Sequence, residues 1–287
     1  MLVFTGAAAH GAPANSLFRG SAAFADTRHA VSFGERPSGS VAIQKLRDWM
    51  VSELKPTGAQ VSLDPFSGRT PDGVVSMANV IAKFPGTSGK AVAITGHFDT
   101  KKIAGVHFLG ANDAGSSTGF LLEFARAIAK VQHKDDIYII FFDGEEAVLD
   151  WTETDSCYGS RHLATKWLAD GTLGHLVALI NVDMIGDKDL DIQRESNSTG
   201  WLVLLMGQAA RKFGYERYFF RQEESVEDDH LAFVERGVPS IDVIDLDYGP
   251  NNSYHHTAQD TMDKVSAKSL TIDGDVFMET IRLIDLR

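Results

Sequence analysis

Apolar residues recur along this chain at two spacings, one helical and one extended, and segments of the two kinds alternate. Between residues 39 and 55, Val41, Leu46, Met50, Val51 and Leu54 fall at helical intervals behind a Pro-Ser-Gly-Ser stretch able to cap a first turn. Residues 60–66, 74–84 and 91–95 read as strands, the last running into Gly96-His97-Phe98-Asp99. A helical face follows over 115–131, carried by Phe120, Leu121, Phe124, Ala125 and Ile128, and then a wholly apolar strand at 137–142. Further helices are expected at 158–170, 201–213 and 268–286, and further strands at 176–182 and 240–246. This alternation predicts an α/β fold with a central mixed, mostly parallel β-sheet flanked by helices on both faces. No repeat, low-complexity tract or Pro/Gly/Ser-rich linker divides the chain, so residues 36–287 are expected to form a single domain behind a lead-in of residues 1–35.

Composition narrows the chemistry. With 39 acidic against 27 basic residues the formal net charge is −12, which argues against a nucleic-acid partner, since phosphate-tracking surfaces are basic. Cys157 is the only cysteine, so no intrachain disulfide or cysteine-rich metal motif can form, and any metal must use His and carboxylates. No run approaches the about 18 apolar residues of a membrane span. The small, apolar run over residues 1–15 fits either the end of an export signal lacking its basic start or an ordinary tail. The first alternative would make the protein secreted or periplasmic.

In sheets of this kind ligands bind beyond the carboxyl ends of the strands. Strand 91–95 leads to His97 and Asp99, strand 137–142 to Asp143, Glu145 and Glu146, and strand 176–182 to Asp183. Asp113 opens the helix near Gly115, and His256 lies in the loop after the last core strand. Each has a plainer reading: Asp113 as a helix cap, Glu145 and Glu146 as a solvated pair, His97 bonded to Asp99, His255 and His256 as loop residues. Their joint placement at successive strand ends is what points to zinc, which accepts His nitrogen and carboxylate oxygen and needs only three protein ligands in a catalytic site. Neighbouring residues after a strand point apart, so one of Glu145 and Glu146 can bind metal while the other faces substrate as an acid/base. Ser156 and His162 lack a Gly-x-Ser-x-Gly elbow, and Cys157 has no poised histidine beside it in sequence, so an enzyme-bound nucleophile is not expected.

The motifs GHFDT (96–100), LGANDAGSSTGFLLEFAR (109–126), FFDGEEA (141–147), the Asp183 strand end and HHTAQDT (255–261) resemble the zinc exopeptidases of bacterial leucyl aminopeptidase type. FFDGEEAVLDWTETDSCYGSRHLA (141–164) and EDDHLAFVERGVPSIDVI (227–244) look more specifically like the animal-type glutaminyl cyclases, over roughly residues 36–286. The resemblance implies a zinc-exopeptidase-like catalytic domain that converts N-terminal Gln of peptides or proteins, with Glu as a further candidate, to pyroglutamate. It implies one zinc on Asp113, Glu146 and His256, with Glu145 as general acid/base beside Asp183 and Asp228. Trp151 would be a wall of the substrate pocket. In the aminopeptidase alternative, His97 and Asp183 complete a second zinc site. The sequence departs from the cyclase pattern at His255, where the family usually has Trp, and at Glu227, where the animal enzymes have Gln; both positions fall in the expected substrate pocket. A monomer is expected.

Overall fold

The computed structural model describes residues 16–287. Helices α1 (Gly20–Val31) and α2 (Val41–Leu54) precede strands β1 (Gln60–Thr70), β2 (Gly73–Phe84) and β3 (Ala91–His97). Then come α3 (Gly115–Ile128), β4 (Asp136–Phe142), α4 (Tyr158–Asp170), β5 (Leu176–Asp183) and β6 (Ile192–Glu195). The chain closes with α5 (Gly200–Phe213), β7 (Phe219–Glu224), α6 (Leu231–Val234), β8 (Ser240–Ile244) and α7 (Ala267–Asp285). The eight strands form one sheet in the order β1-β2-β4-β3-β5-β8-β6-β7. At its centre β4, β3, β5 and β8 are parallel, while β2 and β6 pair antiparallel with the outer members of that set.

Central strands are apolar on both faces because both faces are covered. In β4, Ile137, Ile139 and Phe141 join the core beneath α2, α3, α5 and α7, while Ile140 and Phe142 join the smaller core beneath α4 and α6. From β3 the chain passes through α3 to β4 on one side of it, and then through α4 to β5 on the other. That reversal opens a crevice at the carboxyl end of β3, where doubly wound sheets hold their ligands.

Four elements carry too little pattern to be read from sequence, the single turn α6 among them. Strand β6, only four residues long, and edge strand β7, mostly exposed, lack an apolar run. Helix α1 lies within the stretch read as lead-in, yet packs across α3 and α7. Its buried face is Gly20, Ala23, Thr27 and Ala30, small residues that give a weak hydrophobic signal but allow close helix approach. Phe18, just before it, meets Phe120 at 5.0 Å between ring centroids. Residues 1–15, where the export-signal reading falls, lie outside the described residues. Among the described residues no helix is long and apolar enough to cross a membrane.

The contact between α1 and α3 depends on Gly119, where an added Cβ would stand 2.4 Å from the Ala23 carbonyl oxygen and 2.3 Å from Thr27 Oγ1. Alanine in a helix interior normally gains up to about 1 kcal/mol over glycine. Here overpacking opposes that gain by about 1–3 kcal/mol, and the clash is with backbone, so it prevails. Gly119→Ala is expected to lower the midpoint of thermal unfolding, and an unchanged or raised midpoint would show that α1 is not docked as described.

Candidate metal centre and active site

His97 is the last residue of β3 and is almost wholly buried. Beyond β4 the chain turns at Gly144, whose φ of 77° belongs to the left-handed region that glycine adopts without a steric cost. The turn delivers the amides of Glu145 and Glu146 to the two oxygens of the Asp99 carboxylate, at 3.1 and 3.2 Å. One buried carboxylate therefore fixes the backbone of both glutamates. Asp113 is not a helix cap: the capping position of α3 is Ala114, without a side-chain cap bond. Instead the Asn112 and Asp113 amides donate to Asp260, at 2.8 and 3.1 Å, and the Tyr248 hydroxyl donates to the same carboxylate at 2.7 Å. Buried Arg36 ties down the preceding segment by donating to the carbonyls of Leu109 and Gly110. His256 has a φ of 51° and packs edge-on to Phe108.

These supports bring side chains from separate strand ends onto one point. His256 Nε2 lies 3.2 Å from Asp113 Oδ2 and 3.1 Å from Glu146 Oε1. A ring nitrogen carries at most one hydrogen, so it cannot satisfy both carboxylates, and a shared cation suits this donor set. The second oxygen of Asp113 faces His97 Nε2 at 3.2 Å, and the same nitrogen is 3.1 Å from Asp183 Oδ1. Two groups of potential ligand atoms converge here, Asp113 with His255 and His256, and His97 with Asp113 and Asp183. Glu146 joins the first through His256, and its other oxygen is 3.4 Å from Lys101 Nζ.

Burial opposes charge on His256, but bonds to Asp113 and Glu146 outweigh it and push the imidazole up to about 10. Burial likewise opposes ionisation of Asp113, yet its bonds to His256 and His97 hold the carboxyl well below its ordinary value. For Glu145 burial prevails: aided by Glu146, Asp228 and Asp229, and despite His97, it raises the carboxyl well above the usual range. Asp183 and Asp228 are raised mainly by burial as well. The site thus sets one carboxylate held ionised between two histidines, Asp113, beside carboxyls poised to carry a proton.

Asp113, Glu145, Glu146, Trp151, Asp183, Glu227, Asp228, His255 and His256 all line a single cavity of about 270 Å³. Glu227 is exposed at its rim and Trp151 half-buried, while His97, the expected second-zinc residue, lies behind this wall against Asp113 and Asp183. His255 packs against His256 with ring centroids 4.0 Å apart and planes tilted by 37°, forming the wall where the cyclase pattern has Trp. Sequence reasoning missed the supports Arg36, Lys101, Tyr248 and Asp260 and gave Asp99 only a bond to His97, although Asp99 and Asp260 stand inside recognisable motifs. His162 stacks on Phe66 and lies 3.4 Å from Asp64, while the Ser156 hydroxyl donates to the Thr152 carbonyl, so the two do not pair. Cys157 is buried, which pushes its thiol well above its ordinary value.

Comparison with known proteins gives a consistent result. The profile of Peptidase family M28 matches residues 79–281. A glutaminyl-peptide cyclotransferase of Drosophila melanogaster is 30% identical over 241 residues, covering 75% of this chain and 67% of that protein. Among solved structures, an Acidobacteriales bacterium glutaminyl cyclase superposes with a TM-score of 0.91 at 42% identity, covering 99% of this chain and 100% of that one. A Zn-dependent exopeptidase from Parabacteroides distasonis superposes with a TM-score of 0.83 at 29% identity, covering 96% and 100%. With its motifs, fold and relatives in agreement, the chain belongs to peptidase family M28 and, within it, to the glutaminyl-peptide cyclotransferase family.

Proposed function

We propose that this chain is a zinc-dependent glutaminyl cyclase, closing N-terminal glutaminyl residues of peptides into pyroglutamate with release of ammonia. The observation that carries this reading is the convergence of the expected ligand, proton-transfer and substrate residues on one cavity. Asp113, Glu146 and His256 are the residues that would hold the ion, which when bound supplies Lewis-acid polarisation of the side-chain amide carbonyl. The substrate's α-amine attacks that carbon, forming the ring C–N bond as the bond to the amide nitrogen breaks. Tethering of such a nucleophile is worth up to about 7–11 kcal/mol in favourable cases, so the enzyme need not provide one. Glu145 takes the proton from the attacking amine and passes it to the departing nitrogen. Asp183 and Asp228 crowd Glu145 with negative charge and favour retention of that proton within the group. Trp151 and His255 would flank the glutaminyl side chain, and Glu227 would meet a protonated N-terminus at the rim. An exported location, secreted or periplasmic, belongs to the same proposal and rests on the residues 1–15 alone.

The cluster of His97, Asp113 and Asp183 favours a second reading, a two-metal aminopeptidase. Incubating the zinc-loaded protein with Gln-initiated and Leu-initiated dipeptides separates the two. Ammonia and pyroglutamate without free leucine are expected; free leucine without ammonia selects the aminopeptidase. Glu145→Gln is expected to lower kcat about 100- to 10,000-fold, as loss of an acid/base does, while bound zinc measured by atomic absorption stays near the wild-type level. Concurrent loss of zinc would make Glu145 a ligand instead. The α-amine reacts only when neutral, with an ordinary pKa of about 7.7–8.0, and Glu145, raised by burial, also gains base character as pH increases. Both effects have the same sign, so kcat/KM should climb from pH 6 towards pH 8, and a flat profile would contradict the proton-transfer scheme.

A further inference from the structure

Behind Asp228, on the side away from the cavity, lies a chain of buried polar groups that the cyclisation scheme does not use. Asn181 Nδ2 donates to Asp228 Oδ2 at 2.9 Å and to Asp242 Oδ1 at 3.1 Å, while Asn181 Oδ1 accepts from Thr95 Oγ1 at 2.8 Å. The other oxygen of Asp242 has no hydrogen-bond partner, and neither has His230 Nδ1, yet the two face each other at 3.8 Å with both side chains fully buried. The opposite ring nitrogen of His230 is 3.1 Å from Glu195 Oε2. Glu195 is itself held by the Asn197 amide and the Ser198 hydroxyl. Only as an imidazolium, with hydrogen on both nitrogens, can His230 face two ionised carboxylates; a neutral ring would need one carboxyl to carry the proton.

We propose that His230 is a positioning residue: charged between Glu195 and Asp242, it keeps Asp242 an ionised acceptor, which fixes the direction of the Asn181 amide and so holds Asp228 in place on the cavity wall. Its effect on turnover rests on the cyclase reading; its charge state does not. Without His230⁺, two carboxylates would share the Asn181 amide with no cation beside them, a burial too costly to persist. Asp242 would take up a proton or Asn181 would turn, and either change releases Asp228.

Two measurements test this on the zinc-loaded protein. In ¹⁵N-edited spectra of the wild type at pH 7, both His230 nitrogens should carry hydrogen; a neutral ring overturns the proposal whatever the turnover. With a Gln-initiated dipeptide, His230→Gln should lower kcat about 10- to 100-fold, the usual cost of losing an orienting outer partner, with little change in KM. The charge-balanced pair His230→Gln with Asp242→Asn should recover most of that loss, because it removes the unpaired carboxylate. A folded His230→Gln enzyme with wild-type kcat, or a double variant no faster than the single, overturns the role. Absence of ammonia release by the wild type would instead sink the cyclase reading, leaving the ring spectrum to decide the charge network.

Discussion

The structure is governed by the burial of carboxylates in excess of cations at the carboxyl rim of the sheet. Asp99, Asp113, Glu145, Glu146, Asp183, Asp228, Asp229 and Asp242 are all buried there. An unpaired buried charge is costly enough that each must find a hydrogen-bond donor, a cation or a proton. Asp99 is satisfied by two backbone amides, and that choice orients Glu145 and Glu146. Asp260 is satisfied by two amides and a phenol, and that choice sets Asp113.

The same constraint sorts the remaining acids by protonation. At Asp113, bonded to two imidazoles, the carboxyl is held well below its ordinary value and is ready to ligate a cation. Where carboxyls face one another, as around Glu145, burial raises them and a proton is retained. In the proposed scheme a Lewis-acid position and a proton carrier would thus stand side by side in one cavity, the combination that an amide-to-lactam exchange requires. His97 sits at the boundary, with Asp113 and Asp183 on one nitrogen and Asp99 and Glu145 at 3.5 Å on the other. Its place between the two groups is the point on which the two proposed readings, cyclisation and two-metal hydrolysis, differ.

Legibility of the fold followed the amount of apolar surface each element buries. Strands β3, β4 and β5, buried on both faces, were plain in sequence, as were α3 and α7 with their long apolar faces. Helix α1 was not, because its contact is made by Gly20, Ala23, Thr27 and Ala30, whose smallness rather than hydrophobicity matters. In the site, residues directly after apolar strands could be found by position, and the roles of Glu145, Asp228 and Trp151 came from resemblance to a family. Supports such as Asp260 and His230 were silent because an acid or histidine in a loop has no periodic signature, and its partners lie far away in sequence. His230 meets Glu195 across an interval of 35 residues, and Asp260 meets Asn112 across 148.

The claim on which the rest stands is that Asp113, Glu146 and His256 share one ion. Anomalous diffraction at the zinc edge, from crystals of the zinc-loaded protein, measures this most directly. The strongest peak should lie about 2.0–2.2 Å from His256 Nε2 and from an oxygen of each carboxylate. A strongest peak among Asp228, His230 and Asp242, or none beside His256, would contradict it.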